Sequence, residues 1–433
     1  MRHICLHFQI HQPFMLRTYR FFDIGLDHYY YDDFSNKSNI FQVAKDSYIP
    51  MNKLLLETIK KQKNKFKVSF SISGSALEQF ELYTPEVIES FQELAQTGKV
   101  EFTAQPYSHS LISIKSGEEF TKQVQKHSNK IQELFGTKPS VFHNTHFIYS
   151  DYIGELILNM GYKGVIAEGA KHILGWKSPN FMYCNANNPK LKIFLRNYKL
   201  SDDIALRFSQ KTWDQWPLTT QKISEWINQF PQDEEIINLC MDYETFGVYQ
   251  TKSSGIFDFM KNLPKAIITN TDFSFSTPSD IMKKVQPVSV LSVPNNTSNA
   301  DEERDLSAWL GNNLQLEAFN ALYKNIELIH TVSDPEIIQD WYRLQSSDNF
   351  YNMSTKFFAD GGSPLKSNPY STPYEAFINF MNIVGDFNER VKKAPKIIEE
   401  AQLSPQEINE AIAKHTAALE QLIELKKTKK QKK

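Results

Sequence analysis

Cysteine is scarce. Cys5, Cys184 and Cys240 are the only three in 433 residues, and they stand far apart without CxxC spacing. That excludes a disulfide framework and a cysteine zinc site and fits a reducing compartment, so a cytoplasmic location is expected. No sign of charge dominates: the formal net charge of -2 excludes a nucleic-acid binder that works by broad phosphate neutralisation. The chain has no apolar run long enough for a membrane span. The N-terminal MRHICLHFQIHQP alternates in polarity and is not a signal peptide, so no membrane partner is expected. There is no phosphate-cradling glycine loop and no GxSxG elbow, which points away from kinases and esterases. There is no internal repeat, and low complexity is confined to a tail, Lys426 to Lys433, with six lysines. A solvated, disordered end explains it, although an anionic partner would also suit it.

Aromatic residues, by contrast, make up 13% of the chain. A large core accounts for most of them; a sugar-binding cleft, where rings stack on sugars, is the sharper reading. Strand and helix signals alternate through the first 295 residues. Ile4, Leu6, Phe8 and Ile10 share one face, and His3, Cys5, His7, Gln9 and His11 the other, which is the period of a strand. Phe66–Ile72 repeats it. Shorter runs cover Val100–Ala104, Val141–Phe147, Gly164–Ala167 and Ile236–Met241. Helices between them have readable ends: Thr84-Pro85 opens one that Gly98 closes, Ser116 with Glu119 opens one that Gly136 closes, and Ser150 opens one that Gly161 closes. Repeated strand–helix units predict an α/β chain with a parallel sheet or barrel. After Pro294-Asn295-Asn296-Thr297 only helix signals follow, with starts at Asp334-Pro335, Thr372-Pro373 and Ser404-Pro405-Gln406-Glu407. Two domains are expected, 1–295 and a helical bundle over 296–425.

Function gathers at the C-terminal ends of parallel strands. Here those ends carry His11-Gln12-Pro13, Gly74-Ser75-Ala76-Leu77-Glu78, Gln105-Pro106-Tyr107-Ser108-His109, His143-Asn144-Thr145-His146, Glu168-Gly169 and Asp242-Tyr243-Glu244. One strand-end histidine alone is usually structural. Six polar clusters in series predict a cleft. Carboxylates, imidazoles and aromatics leave two chemistries open: glycoside hydrolysis by a carboxylate pair, or a divalent-metal hydrolase with His and Asp ligands.

These motifs resemble glycoside hydrolase family 57, the α-amylase and 4-α-glucanotransferase family. His11-Gln12-Pro13 is similar to its first motif and Gly74 to Glu78 to its second. Met241-Asp242-Tyr243-Glu244-Thr245-Phe246-Gly247 is similar to its fourth, and Asp301 to Asn312, with Asp305 and Trp309, to its fifth. The resemblance implies an incomplete seven-stranded (β/α)7 barrel followed by an α-helical bundle that helps close the cleft. It also implies an α-glucan or maltooligosaccharide substrate, retention of configuration, and no required metal or cofactor. Asp242 takes the place of the general acid. His11, Glu78, His109, His143, Glu244, Asp305 and Trp309 are expected to bind substrate.

The third motif departs. His146 stands where the family has its nucleophilic glutamate, and His143 where it has arginine. Gln105 and Asn299 replace a usual glutamate and tryptophan. An imidazole cannot take over a carboxylate's attack on the anomeric carbon, and its protonated form puts positive charge beside an oxocarbenium-like transition state. The expectation is an α-glucan-binding protein with retaining hydrolysis lost or impaired, which binds glucan or a partner enzyme of glycogen metabolism. The alternatives are an active hydrolase or transferase with a relocated nucleophile, for which Glu244 and Glu168 are candidates, and a metal-dependent hydrolase or deacetylase using His11, His109, His146 and Asp242.

Overall fold

Strand β1 (Arg2–Ile10) organises the molecule. It pairs in parallel with β2 (Val68–Ile72) on one side and with β8 (Ile236–Asp242) on the other, with Gln9 opposite both Ser71 and Asp242. The computed structural model describes residues 2–63, 65–356 and 368–395, together with 409, 413 and 416. The expected helix start at Ser404-Pro405-Gln406-Glu407 and the lysine-rich tail lie outside the described residues.

Strand β2 continues to β3 (Val100–Phe102), and β4 (Val141–His143) continues through β5 (Gly164–Glu168) to β7 (Lys192–Arg196). Two seams are thin. A single pair, Ala104 with Phe142, joins the edge of β3 to β4, and a single pair, Arg196 with Asn238, joins β7 to β8. Seven parallel strands thus form an incomplete barrel. Three short strands extend the sheet: β6 (Tyr183–Asn185) is antiparallel to β7, β9 (Phe273–Phe275) pairs with the start of β1, and β10 (Ser289–Leu291) pairs with β6. The sequence pattern missed β6, β7, β9 and β10, which are three to five residues long without a clear period, whereas the equally short β3 and β4 were read as parts of the longer runs Val100–Ala104 and Val141–Phe147.

Polarity alternates along β1 as expected, but burial does not: all nine residues are buried. Helices cover the outer face, where Ile4, Leu6, Phe8 and Ile10 join a core with Met51, Leu55 and Phe70. The inner face lines the barrel, where Cys5 packs with Ile166, Phe194 and Cys240. A parallel strand covered on both sides has no solvent face.

The expected helix ends are present. Pro85 begins Pro85–Gln96, the Ser116 hydroxyl accepts from Glu119 N before Gly117–Phe135, and Ser150 caps Asp151–Asn159. Thr84 makes no side-chain cap bond. Among the described residues no strand follows Leu291, and helices run Ser307–Leu310, Asn313–Tyr323, Ile326–Ile329, Pro335–Leu344, Ser347–Tyr351 and Pro373–Lys393. Their apolar faces share one core with the barrel side: Phe142, Ile153 and Val165 cluster with Trp309, Phe350 and Phe380. No described helix is long and apolar enough to cross a membrane.

Candidate active site

The strand ends open into a cavity of about 150 Å³ between the barrel and the helical region, where His11, His146, Asp242, Glu244 and Trp309 meet. Asp242 is the last residue of β8 and is half-buried. Gly247 closes its motif at φ +115°, and a Cβ there would lie 2.0 Å from the Asp46 carbonyl. Only glycine allows that approach, and it fixes the turn carrying Glu244.

Glu244 is buried. Its Oε1 accepts from Gln12 Nε2 at 3.0 Å and from the Tyr48 hydroxyl. Burial, then the charge of Asp242, pushes its pKa up to about 7.

The strand end before residue 146 separates the two histidines of the third motif. β4 stops at His143, and the chain then turns with His146 at φ +50° and Phe147 at φ +57°. The kink brings His146 into the cavity while His143 stays inside the barrel. His143 is fully buried and does not line the cavity, so its expected place as a substrate ligand is corrected. Its Nδ1 meets His7 Nε2 at 2.7 Å, and His7 Nδ1 meets Ser69 Oγ at 2.9 Å.

These deep histidines set an acid limit on the fold. Burial lowers His7 to about 3 and His127 to about 4, and His143 lies well below its ordinary 6.5. Below pH 6.5 the unfolded chain therefore binds more protons than the native one. Stability is full above that pH and falls as pH drops, by up to about 1.4 kcal/mol per unit for each ring. Glu244 acts oppositely, because the native chain keeps its proton between the ordinary carboxylate range and about 7, and Glu101 and Glu168, raised by burial, act in the same sense; the three rings, joined by His3 lowered to about 4, are expected to outweigh them. Urea midpoints should fall from pH 7 to pH 5. A midpoint that holds steady or rises would refute this reading.

His11, His109, His146 and Trp309 form a chain of ring contacts. His11 stacks on His109 at 4.2 Å, His109 meets His146 edge-on at 4.7 Å, and His146 stacks on Trp309 at 4.3 Å. The ring nitrogens point to side chains. His11 Nδ1 bonds Ser73 at 2.8 Å and its Nε2 bonds Asp348 at 2.8 Å. His109 Nδ1 bonds Gln105 at 3.2 Å, and His146 Nε2 bonds Ser347 at 2.9 Å. The rings therefore meet by their faces and edges. Among the described residues the only three metal-capable groups within 4.8 Å of one another are Glu118, Glu327 and His330, away from this cavity.

Three other expected ligands lie off the cavity lining: Glu78, Asp305 and His109, which is fully buried behind His11 and His146. Glu78 accepts from the Tyr107 hydroxyl at 2.8 Å and pairs with Arg343 at 3.2 Å. Asp305 accepts from Ser307 N at 2.8 Å and Ser307 Oγ at 2.6 Å, at the start of a short helix. Neither lines the cavity. Glu168, an alternative nucleophile, bonds Arg196 at 3.3 Å and also lies off the lining; its corrected place is in a buried ion pair. Asn299 donates its backbone N–H to the His146 carbonyl at 3.0 Å.

The sequence reading missed Arg196, Asp202 and Asp348 in the cavity wall, and of the fifth motif it singled out Asp305 and Trp309 but not Asp301 and Arg304, which also line the cavity. Arg196 ends β7 as Asp242 ends β8, so the same strand-end rule would have found it had the strand been recognised. Asp348 had no such signal.

A parallel barrel with an acid-lined cleft at its strand ends, closed by helices, defines a glycoside-hydrolase type of protein. The chain belongs to glycosyl hydrolase family 57, whose family model matches residues 5–294. It is 37% identical over 406 residues to a protein of Methanocaldococcus jannaschii named "Putative alpha-amylase", covering 90% of this chain and 85% of that one. Its fold is similar to a family 57 branching enzyme from Thermococcus kodakaraensis (TM-score 0.65, 11% identity, 94% of this chain and 93% of that one). It is also similar to the 4-alpha-glucanotransferase of Thermococcus litoralis (TM-score 0.62, 15% identity, 81% of this chain), of which it spans 56%. The alpha-amylase AmyC of Thermotoga maritima gives a TM-score of 0.60 at 11% identity, over 94% of this chain and 96% of that one.

Proposed function

We propose that this chain binds α-glucan in the cavity and that the family's retaining reaction does not run through position 146. The observation that carries this is His146 itself: an imidazole stacked on Trp309, bonded to Ser347 and lining the same cavity as Asp242. An acid without a carboxylate at that position is half of a retaining pair. Trp309 and His146 bring aromatic rings to the cavity wall, and the carboxylates around them offer acceptors for sugar hydroxyls.

Calorimetric titration with maltoheptaose tests the first half. Saturable binding with Kd below ~1 mM, about -4 kcal/mol, is expected; no binding to any maltooligosaccharide would sink the reading. A partner among the enzymes of glycogen metabolism becomes the better account in that case. A second reading, turnover through a relocated carboxylate, is favoured by one observation, the presence of Asp348 in the same cavity wall.

A further inference from the structure

We infer that Asp348 is the catalytic carboxylate that partners Asp242, supplied by the helical region in place of the missing glutamate. The inference rests on the α-glucan reading above and adds the residue through which a reaction runs.

A retaining pair needs two carboxyl groups on opposite sides of the glycosidic bond, ~5–5.5 Å apart. Besides Asp242, the carboxylates in the cavity wall are Asp202, Glu244, Asp301 and Asp348. Asp202 is held by Arg196 and by Arg304 at 3.6 Å. Asp301 is held by Lys356 at 3.1 Å. Both are paired with Arg or Lys side chains, which carry a full positive charge and weaken them as nucleophiles, whereas the partner of Asp348 is the His11 imidazole. Glu244 follows Asp242 on the same strand end, so the two approach a sugar from one side, and its Oε1 is tied by Gln12 and Tyr48.

Asp348 differs in origin. It lies on the helix Ser347–Tyr351, whose first residue touches the substituted position directly: Ser347 Oγ is 2.9 Å from His146 Nε2. Ser347 N also donates to the His109 carbonyl at 3.2 Å, and Ser346 bridges to Ser110. The helix is thereby fastened to the strand ends beside the vacated nucleophile position. The Asp348 carboxyl is oriented as well, since Oδ2 bonds His11 Nε2 at 2.8 Å and Ser346 Oγ at 2.9 Å. His11 is fixed in turn by Ser73. A carboxylate held by groups that are themselves held is the form a nucleophile needs.

The chemistry balances without a cofactor. An Asp348 oxygen bonds to the anomeric carbon as the glycosidic C–O bond breaks. The leaving oxygen keeps the bonding pair and takes a proton from Asp242. Water, or a hydroxyl of a second glucan, then attacks the same carbon and gives its proton to Asp242. The ester to Asp348 breaks, its carboxylate is regenerated, and two inversions leave the configuration retained.

The test uses the full chain and 5-fluoro-α-D-glucosyl fluoride, an activated sugar that leaves slowly from a glycosyl-enzyme. Peptide mass mapping should find the fluoroglucosyl group on Asp348. Asp348→Asn should lower release of fluoride from α-glucosyl fluoride by about 10³-fold or more. Asp348→Gly with azide should restore release and yield β-glucosyl azide, a readout that a merely structural role for Asp348 would not move. Label on another residue, no label and no turnover in the native chain, or a near-native Asp348→Asn rate each overturns the inference. Maltoheptaose titration of the same preparation separates the two failures: binding without label removes Asp348 alone, and no binding removes the α-glucan reading.

Discussion

His146→Glu should raise maltoheptaose hydrolysis by about 10²-fold or more over the native chain, measured as reducing-end release. Removing one member of a catalytic unit commonly lowers rates by 10⁴–10⁶, and a replaced carboxylate should recover part of that. The surroundings favour recovery. The Ser347 hydroxyl that meets His146 Nε2 at 2.9 Å can donate to a carboxylate of similar reach, and Trp309 still forms the wall. The substitution also exchanges a group that can only be neutral or positive for one that stabilises an oxocarbenium-like charge. Two features limit the gain. Residue 146 has φ +50°, which glutamate adopts less readily than histidine, at a cost of order 1 kcal/mol. The new carboxylate also lies near Asp348, and like charges raise one another's pKa. Adding Asp242→Asn should abolish the gain. Intact glucan binding with no rate increase in His146→Glu would show either that the cleft lacks more than a nucleophile or that Asp348 already supplies one, and covalent labelling of Asp348 separates the two.

Arg196→Ala should destabilise the fold by about 3–5 kcal/mol at pH 7, the usual result of stranding a buried charge. Arg196 is itself buried. It contacts Glu168 at 3.3 Å and Asp202, and donates Nε–H to the Cys240 carbonyl at 2.8 Å. Arg304 partly covers Asp202 at 3.6 Å, but Glu168 is left with the Gly169 amide alone among its named partners. Burial already holds the Glu168 pKa above its ordinary value. Without the guanidinium it rises further, and the carboxyl takes a proton. The loss should therefore be smaller at pH 5 than at pH 7, relative to the native chain at each pH. Urea unfolding at both values measures it; a loss under about 1 kcal/mol at pH 7 would show that the ion pair contributes little.

Much of the site was legible because strand ends obey a simple rule. His11, Asp242 and Glu244 were found where apolar runs stop, and β1 lies beside β8 with Gln9 opposite Asp242. The rule weakened where the chain leaves the strand. His143 and His146 were both expected in the cleft, yet the chain leaves the strand after His143 and turns at His146 itself, so that one ring stays in the barrel interior and the other reaches the cavity. Such backbone choices depend on tertiary contacts, here the bond from Asn299 N to the His146 carbonyl. Motif position also misplaced Glu78 and Asp305, because a carboxylate's role depends on its nearest donor, Arg343 for one and Ser307 for the other. Asp348 was beyond reach for a different reason. Helical periodicity reports which face is apolar, not which strand end that helix will meet.

The shared core joining Phe142 and Ile153 to Trp309, Phe350 and Phe380 has a consequence for how the molecule comes apart. Although the sequence pattern changes near residue 295, the helical part has no interior of its own: its core is shared with the flank of β4 and β5, while the barrel keeps a second core around β1 and β2. Loosening the helices uncovers the flank of β4 and β5 and withdraws Trp309 from His146 in the same event. Cleft geometry and the helical region are in this sense one cooperative unit, and the site should vanish in the transition that unfolds the helices.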